Sequence, residues 1–381
     1  MKCSFLYLIP DLMEASSGIA RYARMVCKAL LDSGHELAVV ALVDKGRQGS
    51  SLVPAFTDMA YWPCHGSRAG FVRRAIAITL RRRPAIILVG HPNFVPLGWL
   101  LGRLSGARLI TFIYGIDAVW PLSAPHRWTL QRSDRILSIS RFTAEQAAKV
   151  NGIPPERVRI LHNCLDPAFE APLALDEDPG SLSMLTVGRM SLAEQYKGQD
   201  YVIRAIPALL ERFPQLEYHV VGDGDWRPVL ETLAAQVGVK SSVCFHGFVP
   251  EEELRSRYAQ ASLFVMPSRA EGFGFVYLEA MAHGLPVIGG NVDATPEVVL
   301  DGQTGYLVNP VSVDSIVAAA TRLLGDGALR QRMGQAGVQH VWEKFRFGRF
   351  QQTLLSHLSE VVPMADPGQG WTGHAGSSGN G

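Results

Sequence analysis

The residues with the most chemical content lie between Ser268 and Gly284 (SRAEGFGFVYLEAMAHG). A strand-like apolar run ends at Met266, and a turn containing glycine then leads into a helix-like run. In open α/β sheets, ligands bind where a parallel strand ends and turns into a helix. Glu271 stands just before the helix and Glu279 lies eight residues on, within it. Gly272 and Gly274 let the backbone bend and approach a ligand. The first N–H groups of the helix, centred on Gly274, Phe275 and Val276, are free to hold a phosphate. Gly284 caps the far end and Pro286 lies beyond it. By spacing alone, Glu271 and Glu279 are two solvated carboxylates on an ordinary surface helix. Their context reverses that reading.

Val187, Gly188, Arg189 and Met190 end a second strand-like run, and Lys197 and Gly198 follow a short polar loop. Two cations placed there can offset the negative charge that builds on a departing pyrophosphate. As a lone pair they would read as surface solvation. Two further strand ends carry Gly222, Asp223, Gly224 and Gly247, Phe248, Val249. Gly222-x-Gly224 lacks the third glycine and the helix start of a dinucleotide fingerprint. A dinucleotide-dependent dehydrogenase would need Gly-x-Gly-x-x-Gly after the first strand, where Gly18 stands alone.

The elements that must position these residues follow from length and periodicity. A chain of 381 residues exceeds what one core usually supports, so two domains are expected. Apolar runs of strand length alternate with amphipathic segments of helix length, the pattern of βαβ units and buried parallel sheets. Strands are expected at Ser4 to Ile9, Glu36 to Leu42, Ala85 to Val89, Arg108 to Ile113 and Arg135 to Ile139. A second set is expected at Met184 to Val187, Glu217 to Val221, Val243 to His246, Leu263 to Met266 and Pro286 to Ile288. Between the sets, Pro167 to Ser183 carries three prolines and an acidic cluster, as an interdomain connection should. The expected organisation is therefore an N-terminal domain over 1–166, a linker and hinge over 167–183, and a second domain over 184–344. The residues from Asp366 on are rich in Gly and Ser and read as a disordered end, with the tail beginning at 363.

Hydrophobic residues make up 47% of the chain and charged residues 19%, enough to build these cores. With 36 Lys plus Arg against 35 Asp plus Glu, nothing global points to nucleic acid. The five cysteines lie far apart with no Cys-x-x-Cys pair, which disfavours a zinc site and a disulfide framework. Met1 to Pro10 reads as a first strand rather than a signal peptide, and no apolar run reaches the roughly 20 residues that span a bilayer. A cytoplasmic protein is expected, at most lying on a membrane. Phe71 to Arg83 carries five arginines and an apolar stripe, followed by Phe94 to Leu101. Two readings stand for it: a segment resting on an anionic inner leaflet, or a helix packed on its own sheet with snorkelling arginines.

The ordered set GRM, KG, VGDGDWR, HGFV, EGFGFVYLEAMAHGLPV, PEVV and GYLV resembles glycosyltransferase family 4, the group 1 type of retaining glycosyltransferase. That family includes bacterial mannosyl- and glucosyltransferases of surface polysaccharide and lipid glycan assembly. The resemblance implies a GT-B fold, in which two Rossmann-like, doubly wound parallel-sheet domains face each other across a cleft. It covers the C-terminal half almost continuously. In the N-terminal half it rests on Ser17 to Ile19, Tyr114 to Asp117, Ser138 to Phe142 and His162 to Cys164.

Carried over by resemblance, Arg189 and Lys197 match the donor-phosphate ligands, Glu271 the carboxylate near the transferred sugar, and Glu279 the group that holds the donor ribose. Gly274, Phe275 and Val276 would contact sugar and phosphate through the backbone. Val249 falls in the turn that meets the nucleobase, with Glu251 nearby, and Gly18 in the loop that approaches the diphosphate. Many relatives have a histidine where this chain has Tyr114, ahead of Asp117; His91 is a candidate substitute on the acceptor side, or a structural strand-end residue. The resemblance further implies a nucleotide diphosphate sugar as donor and a glycan or lipid-linked sugar as acceptor. GDP-mannose is the family's suggestion for the donor, and 345–362 would form a helix crossing back to the first domain. Retention needs either a nucleophilic Glu271 or a same-face route in which a β-phosphate oxygen takes the acceptor proton. The second is preferred, with Glu271 orienting sugar hydroxyls. The sequence shows no Asp-x-Asp cluster at a strand end, so neither metal nor other cofactor is expected. The competing reading from another class is a non-catalytic scaffold that binds nucleotide sugar within a polysaccharide assembly complex.

Overall fold

A computed structural model describes residues 3–14, 17–44, 59–115, 120–169 and 182–362. The first sheet holds β1 (Ser4–Ile9), β2 (Glu36–Ala41), β3 (Ala60–Pro63), β4 (Ile86–Val89), β5 (Arg108–Ile113), β6 (Arg135–Ser138) and β7 (Val158–Ile160). All are parallel, in the order β3-β2-β1-β4-β5-β6-β7. Its helices are α1 (Gly18–Asp32), α2 (Arg68–Arg82), α3 (Val95–Ser105), α4 (Ala124–Leu130) and α5 (Arg141–Asn151).

The second sheet holds β8 (Ser183–Val187), β9 (Glu217–Val221), β10 (Val243–Gly247), β11 (Leu263–Met266), β12 (Val287–Gly290) and β13 (Gly305–Val308). It too is parallel, in the order β10-β9-β8-β11-β12-β13. Its helices are α6 (Gln199–Leu210), α7 (Arg227–Gln236), α8 (Glu251–Gln260), α9 (Phe275–Ala282), α10 (Val313–Leu324) and α11 (Gly327–Lys344). The central strands are near-continuous Val, Ile and Leu because helices cover both faces; β4 and β11 are buried along their whole length. Each such side chain taken fully out of water contributes about 1.5–3 kcal/mol.

In both sheets the chain order reverses next to the first strand, between β1 and β4 and between β8 and β11. A crevice opens at the C-terminal ends of the strands on either side of such a switch point. Arg189 follows β8 and Glu271 follows β11, so the second sheet's switch point gathers the residues singled out above.

Three short strands, β3, β7 and β13, and the seven-residue α4 are not among the expected elements. At three or four residues these strands carry too little periodicity to read alone, and α4 has a proline in its first turn. Helix α9 stops one residue earlier than the sequence implies. Its cap is His283, and Gly284 follows in the left-handed region at φ 73°. In the 167–183 connection, residues 167–169 form a 3-10 turn and Ser183 already belongs to β8. Residues 170–181, Asp117 and the 363–381 tail lie outside the described residues.

The last helix, α12 (Phe347–Ser359), lies on the first domain. Phe350 meets Tyr22 of α1 edge to face at 5.5 Å, and Gln351 Nε2 donates to the Ala29 carbonyl at 3.1 Å. Past its end, Glu360 pairs with Arg159 at 2.9 Å and Arg135 at 3.3 Å. A second tie runs the other way. The Glu297 carboxylate accepts from the main-chain N–H groups of Arg141 and Phe142, both at 2.8 Å, and lies 3.2 Å from His162 Nε2. A second-domain carboxylate thus caps the N-terminus of α5 in the first domain. Burial alone would raise its pKa, but the hydrogen bonds from His162, Phe142 and Arg141 outweigh burial and lower it.

Candidate active site

The turn after β11 is tied down before it reaches α9. Glu271 donates its N–H to Asp293 at 2.7 Å, and Asp293 also accepts from Thr295 N at 2.9 Å. The Glu271 carbonyl accepts from Ala294 N at 3.2 Å. Glu271 is therefore positioned by its own main chain, leaving its carboxyl to face the crevice groups. Burial pushes that carboxyl up; the Lys197 ammonium pulls it down, while Asp293 and Glu194 add to the rise.

Arg189 and Lys197 come together from opposite sides of the turn after β8. The 3-10 turn Leu192–Lys197 ends at Gly198, which is left-handed at φ 79°. A Cβ at Gly198 would lie 2.6 Å from the Pro267 carbonyl, so only glycine lets this turn sit against the end of β11. Between the two cations stands Glu194, whose carboxylate accepts from Arg189 on one oxygen and from Lys197 Nζ at 3.0 Å on the other.

Glu279, 2% exposed, faces inward from α9. It accepts from the Tyr258 hydroxyl at 2.8 Å and pairs with Arg21, which reaches it from the first turns of α1. Burial and the Glu279 charge both push the Tyr258 phenol up, so it stays a proton donor. Arg21 also lies 3.5 Å from Asp166 and stacks over the Phe275 ring at 4.7 Å. The N-terminus of α1, where Gly18 follows the capping residue Ser17, thus stands across the crevice from α9. The two domains also touch through main chain. A Cβ at Gly272 would lie 2.3 Å from the Tyr114 carbonyl, and one at Gly115 would lie 3.2 Å from Gly272 Cα.

The sequence-derived residues fall into two groups. Arg189, Lys197 and Glu271 gather at the ends of β8 and β11, Gly274, Phe275 and Val276 open α9, and Glu279, from the middle of α9, faces Arg21 of the first domain, where Gly18 also lies. The other candidates sit differently. Val249 is buried in the core while its neighbour Phe248 is 72% exposed, so this turn offers an aromatic ring and main chain rather than the valine side chain. Glu251 begins α8 and pairs with Arg255. The Tyr114 ring turns into its own domain, stacked on Phe112 and edge-on to Tyr22, with its hydroxyl 3.5 Å from that of Tyr7. His91 accepts from Asn93 N at 3.1 Å and caps a 3-10 turn; burial and His126 lower its pKa, which keeps it a neutral acceptor. Arg21, Tyr258, Asp293 and Glu194 were not read from the sequence. Arg21 and Asp293 are distant in the chain from the groups they hold, and Glu194 differs little from any acidic loop residue. Among the described residues, no group of three His, Cys, Asp or Glu side chains could hold a metal ion.

Two family models match the two halves: Glycosyltransferase Family 4 over residues 16–169, and Glycosyl transferases group 1 over residues 173–340. A GDP-mannose-dependent alpha-(1-6)-phosphatidylinositol monomannoside mannosyltransferase from Mycolicibacterium smegmatis is 34% identical over 282 residues, covering 70% of this chain and 72% of its own. The chain belongs to the family 4, group 1 glycosyltransferases. Its fold is GT-B. Sucrose-phosphate synthase from Thermosynechococcus elongatus superposes with a TM-score of 0.79 at 20% identity, over 94% of this chain and 99% of that one. Anabaena Alr3699/HepE, solved in complex with UDP-glucose, gives 0.78 at 17% identity, over 94% and 100%.

In this glycosyltransferase, Glu271→Gln is expected to separate stability from activity. Glu271 has a folded-state pKa above its unfolded value of about 4.3, so its ionised form costs stability at neutral pH. The cost is absent below the unfolded value and complete once pH has risen past the folded one. The Gln variant is expected to melt above the wild type at pH 8, with the gain shrinking as pH falls towards 5, while transfer drops roughly 100-fold or more. Thermal melts across that range and initial rates check both. A variant that melts lower at pH 8, or transfers normally, contradicts the assignment.

Proposed function

We propose that this glycosyltransferase is a retaining, metal-independent hexosyltransferase. It moves a hexose from a nucleotide diphosphate sugar, with mannose from GDP-mannose first among the donors, to a glycan or lipid-linked acceptor in surface polysaccharide or glycolipid assembly. One observation carries the proposal: Arg189 and Lys197 after β8 and Glu271 after β11 meet at one switch point, with Glu279 farther along α9 facing the first domain. Two cations suit the diphosphate, and the free N–H groups at Gly274, Phe275 and Val276 suit a phosphate or sugar oxygen. The choice of mannose is supported by the named activity of the mycobacterial relative, and that of a nucleotide sugar by the HepE complex.

Chemically, the bond between the anomeric carbon and the diphosphate oxygen breaks as negative charge grows on the diphosphate, where Arg189 and Lys197 offset it. The acceptor hydroxyl attacks the same face and passes its proton to a β-phosphate oxygen, while Glu271 orients sugar hydroxyls. Glu279 holds the ribose. The main-chain contact between Gly272 and Tyr114 narrows the crevice and supports exclusion of water during transfer.

The acceptor side belongs to the first domain, near the Tyr114 main chain and His91. Residues 65–132 carry ten arginines and a single acidic residue, Asp117. Val72, Leu80, Leu100, Leu104, Trp120 and Trp128 are exposed among them. Such a face suits the anionic inner leaflet, placing the enzyme at the cytoplasmic surface beside a lipid-linked acceptor. No helix among the described residues is long and apolar enough to cross a membrane.

Thermal melts with GDP, UDP, ADP and dTDP test the donor. A ligand at about 100 times its Kd stabilises the folded state by about 2.7 kcal/mol. GDP is expected to raise the melting temperature by several degrees; a shift with none of the four contradicts donor binding, and binding without transfer favours the scaffold. Co-sedimentation with vesicles tests the surface. The protein is expected to pellet with phosphatidylglycerol vesicles and to be released by salt, and indifference to vesicle charge contradicts leaflet contact.

A further inference from the structure

Glu194 is bracketed by the two cations assigned to the donor. Its carboxylate accepts from Arg189 and from Lys197 Nζ, and Glu194 and Lys197 have side chains only 13% exposed. The carboxylate is built into place rather than arriving by chance. Its turn begins at Ser191, whose hydroxyl accepts from Ala193 N at 3.2 Å, and Asp225 accepts from Leu192 N at 2.8 Å. At the other end the turn is pinned where Gly198 meets Pro267. Arg189 is 53% exposed, so one of the two cations stays open to an incoming anion.

Without Glu194, two like charges would face each other in a half-buried crevice. With it, every anion that enters must compete with a resident one. On the assignment of Arg189 and Lys197 to the diphosphate, on which this inference rests, we propose that Glu194 is a positioning residue. It holds both cations in position, weakens their grip on the diphosphate, and so speeds departure of the nucleoside diphosphate product. Arg189 has five N–H donors and Lys197 three, so both can turn to the diphosphate without leaving Glu194 unpaired. The like-charge contact between Glu194 and the bound diphosphate then favours release.

The test is calorimetric binding of GDP, UDP and inorganic pyrophosphate to the full chain, with Glu194→Gln, Glu194→Ala and Lys197→Met beside the wild type. Both Glu194 variants are expected to bind the preferred nucleoside diphosphate roughly tenfold more tightly, a gain of one charge-assisted contact. In steady state, KM for the donor should fall together with kcat, because release becomes slower. A merely structural residue would weaken binding or leave KM unchanged. Glu194→Ala stands in should Glu194→Gln fold poorly. If Lys197→Met loses affinity while both Glu194 variants bind as the wild type or more weakly, the competition is overturned and the donor assignment survives. If Lys197→Met binds as tightly as the wild type, the donor assignment falls and the proposal with it.

Discussion

Charged groups buried along the seam between the two domains have to find partners across it, and the site is arranged around that requirement. Glu279 is inside the second domain's helix α9, yet one of its partners, Arg21, comes from the first domain. Glu297 belongs to the turn after β12, yet it caps a first-domain helix and meets His162. Breaking either contact without a replacement would strand a desolvated carboxylate, at a cost of several kcal/mol. The domains are therefore held face to face by pairs that neither could satisfy alone. A ligand that enters must supply substitutes for whatever it displaces.

The turn that carries Glu271 obeys the same logic on a smaller scale. Asp293 holds the Glu271 main chain, so the Glu271 side chain need not spend its own oxygens on staying in place. Glu194 occupies Arg189 and Lys197, and Tyr258 and Arg21 occupy Glu279. Arg189, Lys197 and Glu279 thus each have a protein partner. These contacts hold the three charges in a fixed arrangement that substrate oxygens can take over.

How much of this the sequence discloses depends on the range over which each signal acts. Strands such as Ser4–Ile9, Arg108–Ile113, Glu217–Val221 and Leu263–Met266 have the bounds that their apolar runs imply, because burial on both faces writes an unbroken signal. The Glu271–Glu279 spacing, the glycines between them and the upstream Arg189 and Lys197 are local patterns and are legible for that reason. Arg21 and Asp293 are not, since their meaning comes from contacts 258 and 22 residues away. Tyr114 shows the converse. Its position in the motif points to the crevice, but the ring is drawn into the aromatic cluster of Tyr7, Tyr22 and Phe112, leaving its carbonyl at the seam. Likewise the apolar Val249 side chain is pulled into the core and the exposed Phe248 is left in its turn.

The stereochemical course of transfer bears most directly on these residues as a donor site that works by same-face attack. Proton NMR of the glycoside first formed from an α-linked sugar nucleotide would show it. An α-linked product is predicted, since Arg189 and Lys197 stand where they can offset charge on the departing diphosphate while its β-phosphate oxygen takes the acceptor proton on the same face. A β-linked product would contradict the mechanism and reassign Glu271 as the base of an inverting reaction.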